Sequence, residues 1–196
     1  MKIGVLASQG AFVEHIAVLH QLGVEALPVR LPRELAGLDG LIIPGGESTS
    51  ISKLMLDYNL VSEVKKLAGE GLPIFGTCAG MILLASEVSG SKVEPLGLMQ
   101  IKVRRNAFGR QRESFETDLS IPALGKKPFP GVFIRAPVIE QSNSNVEILA
   151  RLDDGTTVAA RQGKLLVSAF HPELTDDPRF HQYFLGIIAG EPKVSE

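Results

Sequence analysis

The chain has 196 residues, is 44% hydrophobic and 21% charged, and carries a net charge of −2, which describes one large globular domain rather than a disordered or fibrous chain. Its single cysteine excludes an internal disulfide and a cysteine-rich zinc site and suits a reducing compartment, hence a cytoplasmic protein. No apolar run approaches the ~20 residues of a membrane helix, and the nearest basic cluster, Arg104, Arg105, Arg110 and Arg112, predicts a local anion site or a solvated face, not a nucleic-acid footprint.

In chain order, KIGVLAS is too short for a signal-peptide core and predicts a strand buried on both faces. Phe12, Ile16 and Leu19 recur at helical spacing, and Gly23 closes that helix. VEALPV and LDGLIIPGG predict the second and third strands. Ser48, Thr49 and Ser50 offer N-caps to a helix that carries Ile51, Leu54 and Met55, breaks near Asp57 and Asn59, and resumes with Leu60, Val61, Val64, Leu67 and Ala68. LPIFGT predicts a fourth strand. CAGMILLAS predicts a buried helix, because it is almost wholly apolar.

Alternating strands and helices over residues 1–86 imply a mostly parallel sheet with helices on both faces, a three-layer α/β sandwich. From about residue 96 to 170 the segments LMQIKV, FETDLS, GVFIRAPVI, VEILARL, TTVAARQ and KLLVSAF are β-rich. Turn signals at Asp154-Gly155 and Gln162-Gly163 make them antiparallel hairpins appended to that sheet. A last helix follows, with Asp177 as cap, Pro178 in the first turn and a stripe of Phe180, Tyr183, Phe184, Ile187 and Ile188 before Gly190. The expected organisation is a single domain over 1–190 and a short tail over 191–196.

The lone cysteine stands in GTCAG, between a strand and a helix, with the spacing of a nucleophile elbow. The glycines leave room for a tight turn, and the helix start favours a thiolate and points the Ala79 N–H at an oxyanion. The bland alternative is a buried filler between packing glycines. A nucleophilic thiol needs a base, and His171 in HPE is the candidate. An extended segment projects His171 and Glu173 to one side, so Glu173 can orient the imidazole. His15, His20 and His181 are expected to be surface or helix-side residues, with His15 and His181 dispensable for turnover. PGGES, residues 44–48, ends the third strand where ligands of open parallel sheets bind, and the Gly46 N–H is the candidate second oxyanion donor.

PGGES, GTCAG and HPE, in this order, resemble the class I glutamine amidotransferases, with their flavodoxin-like fold and Cys-His-Glu triad. LASQGAFVEH, GGESTSISKL, RRNAFGRQRESFE and VFIRAP are similar to the glutaminase subunits of pyridoxal 5′-phosphate synthase. The resemblance runs from residue 3 to about 188. It implies hydrolysis of L-glutamine through a glutamyl thioester, with Cys78 as nucleophile, His171 as base and Glu173 as orienting group. It carries the glutamine contacts over to Gly46, Glu47, Ser48, Arg105, Ile134 and Arg135. Arg105 or Arg135 can meet the substrate carboxylate and Glu47 its ammonium, though backbone groups can do either. The implied half-reaction needs no cofactor and no metal. The implied partner is the synthase subunit, in a hetero-oligomer, with no role for nucleic acid or membrane. Gln9 and PGGES are expected to face that partner. Another cysteine hydrolase on the same fold, or a non-enzymatic subunit with a vestigial elbow, are the alternatives.

Overall fold

The computed structural model describes residues 1–7, 10–109 and 113–192. The first half alternates as the periodicity requires: β1 (Lys2–Leu6), α1 (Phe12–Gln21), β2 (Glu25–Val29), β3 (Gly40–Ile43), α2 (Ser48–Asp57), α3 (Leu60–Gly69), β4 (Ile74–Thr77) and α4 (Ala79–Leu84). The second half holds β5 (Ala85–Ser89), β6 (Met99–Arg104), β7 (Ser114–Leu119), β8 (Phe129–Ile134), β9 (Val138–Ser142), β10 (Glu147–Arg151), β11 (Thr157–Gln162), β12 (Leu165–Ser168) and α5 (Arg179–Ala189). Asn59, left-handed at φ 59°, makes the expected break between α2 and α3.

The main sheet runs β2-β1-β3-β4-β12-β11-β9-β6-β5, with β10 paired to β11. β1 pairs with β2 and β3, and β4 with β3 and β12, all parallel. β11 pairs antiparallel with β9, β10 and β12. The sheet is sandwiched. On β4, Phe75 packs its ring near His15 of α1 and against Phe180 and Phe184 of α5. The next residue, Gly76, faces α4 on the other side, where α2 and α3 also lie. Phe75, Phe129, Phe133, Phe170, Phe180 and Phe184 are fully buried, each contributing about 1.5–3 kcal/mol of apolar transfer. Among the described residues no helix is long and apolar enough to cross a membrane.

Several local expectations change. The N-cap of α2 is Glu47, whose carboxylate accepts from the N–H groups of Thr49 and Ser50, so Ser48 is the first helical residue. The apolar helix ends at Leu84, and Ala85–Ser89 becomes a strand parallel to β6. β12 closes an antiparallel hairpin with β11, as expected, and also lies parallel beside β4, joining the two halves of the sheet. β7 and β8 form a separate two-stranded sheet instead of extending the main one. GVFIRAPVI is cut in two at Arg135, whose φ of 44° cannot continue a strand. Pro178, not Asp177, is the N-cap of α5, with Asp177 Oδ1 accepting from the Arg179 N–H.

Candidate active site

The sheet order brings β4 and β12 side by side, and the chain leaving each carries one half of the site. At the end of β4, Cys78 stands at φ 48°, ψ −102°, between strand and helix. A non-glycine residue there stores about 1–3 kcal/mol of strain, held by its surroundings. The Cys78 N–H donates to the Ser168 carbonyl at 2.8 Å, tying the turn to β12. The flanking glycines have a measurable reason. A Cβ on Gly76 would lie 2.6 Å from the Gly80 backbone, and one on Gly80 would lie 2.0 Å from the Ile43 carbonyl oxygen. Side chains at either position would push α4 off the strand ends. Ala79 opens α4, so its N–H has no carbonyl four residues behind it to bond.

Beyond β12, the Ser168 hydroxyl donates to the Phe170 carbonyl at 2.9 Å, and the His171 N–H donates to Val132 of β8 at 2.8 Å. These bonds fix where the imidazole sits. The His171 Nδ1 is 2.7 Å from Glu173 Oε1. The pairing is as expected but its geometry is not: Pro172–Leu174 is a 3₁₀ turn, so the pair closes through a turn rather than along an extended segment. Burial opposes a charge on His171, but hydrogen bonds to Cys78 and Glu173, and their charges, outweigh it and raise its pKa to about 10. Burial likewise opposes ionisation of Glu173, and its electrostatic interaction with His15 and the His171 hydrogen bond reverse that, so its pKa is lowered. Gly45 closes the space beside the ring: a Cβ there would be 2.4 Å from His171 Cε1 and 3.3 Å from Cys78 Cβ.

A cavity of about 150 Å³ opens over Cys78. All the residues expected to touch substrate line it: Gly46, Glu47, Ser48, Arg105, Ile134 and Arg135. The Ser48 hydroxyl is buried without a hydrogen-bond partner. Glu47 is more committed than anticipated, since it also pairs with Arg105 Nη2 at 2.9 Å. Burial opposes its charge, but the Ser50 hydroxyl and the Thr49 and Ser50 N–H groups lower its pKa to about 2. The sequence reading missed Asn106 and Ile82, which also line the cavity. Among the described residues the non-glycine positive-φ positions are Asn59, Cys78, Asn106 and Arg135, and the last three all border this cavity. Strain of this kind concentrates at functional sites. Arg104 lies outside the cavity and pairs with Glu140 at 3.4 Å. Gln9, Arg110 and Arg112 lie outside the described residues. No group of His, Cys, Asp and Glu among the described residues is arranged to hold a metal ion.

Two histidines depart from expectation. His15 and His181 are fully buried, with His15 Nδ1 2.9 Å from His181 Nε2 and His15 Nε2 3.4 Å from Glu173 Oε2. They are separated by 166 positions, so no local pattern announces their meeting. His20 remains exposed.

A thiol at a strand-to-helix turn, an imidazole held by a carboxylate and a small cavity bordered by Glu47, Ser48 and Arg105 form an arrangement that can carry out acyl transfer through a thioester. On a mostly parallel three-layer sheet, that is the architecture of a class I glutamine amidotransferase. A solved structure described as a glutamine amidotransferase superimposes with a TM-score of 0.91 at 52% identity, covering 96% of this chain and 100% of that one. The pyridoxal 5′-phosphate synthase subunit PdxT of Herpetosiphon aurantiacus is 60% identical over 190 residues, 95% of this chain and 100% of the relative. The subunit of the same name from Pelotomaculum thermopropionicum is 59% identical over 185 residues, 94% of each chain. The SNO glutamine amidotransferase family model matches residues 5–189, and the chain belongs to that family.

Proposed function

We propose that this chain hydrolyses L-glutamine to L-glutamate and ammonia and delivers the ammonia to the synthase subunit of pyridoxal 5′-phosphate synthase, in a hetero-oligomeric complex in the cytoplasm. The observation that carries the chemistry is the His171–Glu173 pair at 2.7 Å beside the strained Cys78 turn. The relatives' name supplies the partner. A cytoplasmic location suits a lone cysteine that must stay a free thiol.

His171 takes the thiol proton, which its raised pKa lets it hold, and Cys78 Sγ adds to the side-chain amide carbon of glutamine. The amide oxygen becomes an oxyanion, met by the N–H groups of Ala79 and Gly46. The C–N bond then breaks and His171 returns the proton, so ammonia departs and a glutamyl thioester remains. Water adds to that thioester as His171 accepts its proton. The C–S bond breaks, glutamate leaves and Cys78 is reprotonated. Glu173 orients the ring and balances its positive charge. Ser48, with a buried hydroxyl lacking any protein partner, supports recognition of the amino-acid end of glutamine. Arg105 and Arg135 bring cations for its carboxylate. Glu47 can serve the ammonium only by sharing a carboxylate that already caps α2 and pairs with Arg105. The test is ammonia release from glutamine by the chain with its synthase subunit. Cys78→Ala should abolish release with an unchanged circular dichroism spectrum, and substantial residual release would remove Cys78 as nucleophile.

A further inference from the structure

Glu173 has two carboxylate oxygens, and orienting His171 occupies one. The other, Oε2, is buried and has no hydrogen-bond partner of good geometry. The group facing it is His15 Nε2, at 3.4 Å. The same nitrogen lies 3.3 Å from the Thr77 hydroxyl oxygen, which also accepts from the Gly45 N–H at 3.0 Å. His15 therefore stands behind both the His171–Glu173 pair and the loop that carries Gly46.

The proton positions follow from valence. Titratable groups facing His15 are Glu173 and His171 from the segment after β12, His181 from α5 and Glu14 from its own helix. Burial lowers the pKa of His15 against the pull of Glu173, and lowers that of His181 to about 3, with His15 adding to the fall. Both rings are then neutral, and each has one N–H. If His15 carried its proton on Nδ1, an Nε2 lone pair would lie 3.4 Å from the Glu173 carboxylate, relieved only by the Thr77 hydroxyl. His181 would then be left with a buried N–H on Nδ1 and no acceptor, because Nδ1 has no partner. Orphaned buried N–H groups are rarer than orphaned acceptors. The other arrangement resolves both conflicts: His181 Nε2–H donates to His15 Nδ1, and His15 Nε2–H is directed to Thr77 Oγ1, with its positive end 3.4 Å from Glu173 Oε2.

We propose that His15 is a positioning residue for glutamine hydrolysis, its Nε2–H tautomer set by His181, holding the Glu173 carboxylate ionised and aligned on His171. This role rests on the reading of His171 as the base. It places a histidine of the first helix in the machinery although its side chain does not line the cavity.

The experiment compares His15→Leu and His15→Gln with the unaltered chain, each as full-length protein assayed with the synthase subunit across pH. Leucine fills the space without a donor, whereas glutamine can place an N–H near the position of Nε2. His15→Leu should lower kcat about 10- to 100-fold, by analogy with losing the group that orients a metal-ligating histidine, with KM for glutamine nearly unchanged. Without the donor Glu173 protonates more readily, so the acid limb of the kcat profile should move to higher pH. His15→Gln should recover most of kcat and return the limb. If His15→Leu does not fold, His15→Asn, too short to reach Oε2, takes its place with the same expectations. A folded leucine or asparagine variant with the kcat and acid limb of the parent would overturn the role, as would glutamine and leucine variants equally impaired without a limb shift. His171→Asn, run alongside, separates the two readings. If it keeps turnover, the base assignment fails and this proposal with it. If it is inactive while His15→Leu is unaffected, only the role of His15 fails.

Discussion

At the scale of single residues, this site depends on what is missing from the side chains around it. Gly45 abuts the His171 ring so closely that a methyl group would sit 2.4 Å from Cε1. The ring cannot swing freely, because Glu173 grips Nδ1 at 2.7 Å. Gly45→Ala should therefore reduce kcat by about 10²-fold, the scale of a 1 Å misplacement of a reacting group. The melting temperature should change little, and a loss under twofold would mean that the loop, not the ring, gives way. Protonation of His171 is a second residue-scale property. Its folded pKa, about 10, lies above the ordinary value of 6.5. The stability it contributes is thus complete below about pH 6.5 and is lost as pH rises through 10. The melting-temperature advantage of the parent chain over His171→Asn should shrink between pH 6 and 10.5. An advantage that grows over that range would contradict the raised pKa. Cys78, His171 and Glu173 were legible in the sequence because short motifs carry them. His15 and His181 were not, because both lie on amphipathic helices where burial depends on what packs across from them.

At the scale of elements, the helices are anchored by a few polar side chains at their ends. Glu47 caps α2 and spends the same carboxylate on Arg105, tying the start of that helix to the segment after β6. Arg179 does the same at α5. Its guanidinium donates to the carbonyls of Leu124, Lys127 and Pro128 and pairs with Asp177 at 2.6 Å. Arg179→Ala removes these donors together and should destabilise the fold by about 2–3 kcal/mol, measured by urea denaturation. A change below about 0.5 kcal/mol, the ordinary surface value, would show that water replaces the guanidinium. Lysine should rescue only partly, since a point charge cannot serve diverging acceptors as a planar fork does. Element types and order in the first half follow directly from periodicity. The split of GVFIRAPVI at Arg135 does not, because nothing in an arginine announces a positive φ; Arg135 adopts it in the connection between β8 and β9.

At the scale of the whole molecule, the site lies at the C-terminal strand ends, where a partner can reach it. A Cβ on Gly10 would lie 1.8 Å from the Gly45 carbonyl oxygen, so the segment after β1 presses on the peptide that carries the Gly46 N–H. Under the proposed function, a partner docking against Gly10 would turn this peptide and, with it, the Gly46 N–H that is the proposed oxyanion donor. The free chain should hydrolyse glutamine about 10²–10³-fold more slowly than the complex at saturating glutamine, the range for loss of one such donor. Equal rates would rule out this switch. By itself the sequence determined the strand–helix alternation, the buried α4, the elbow and the HPE pair, because each is set by contacts a few residues long or by one apolar face. Only the tertiary structure decided that β12 lies beside β4, that β7 and β8 stand apart, and that His15 meets His181 behind Glu173. Those outcomes depend on which faces meet across distant parts of the chain, and no local spacing encodes that choice.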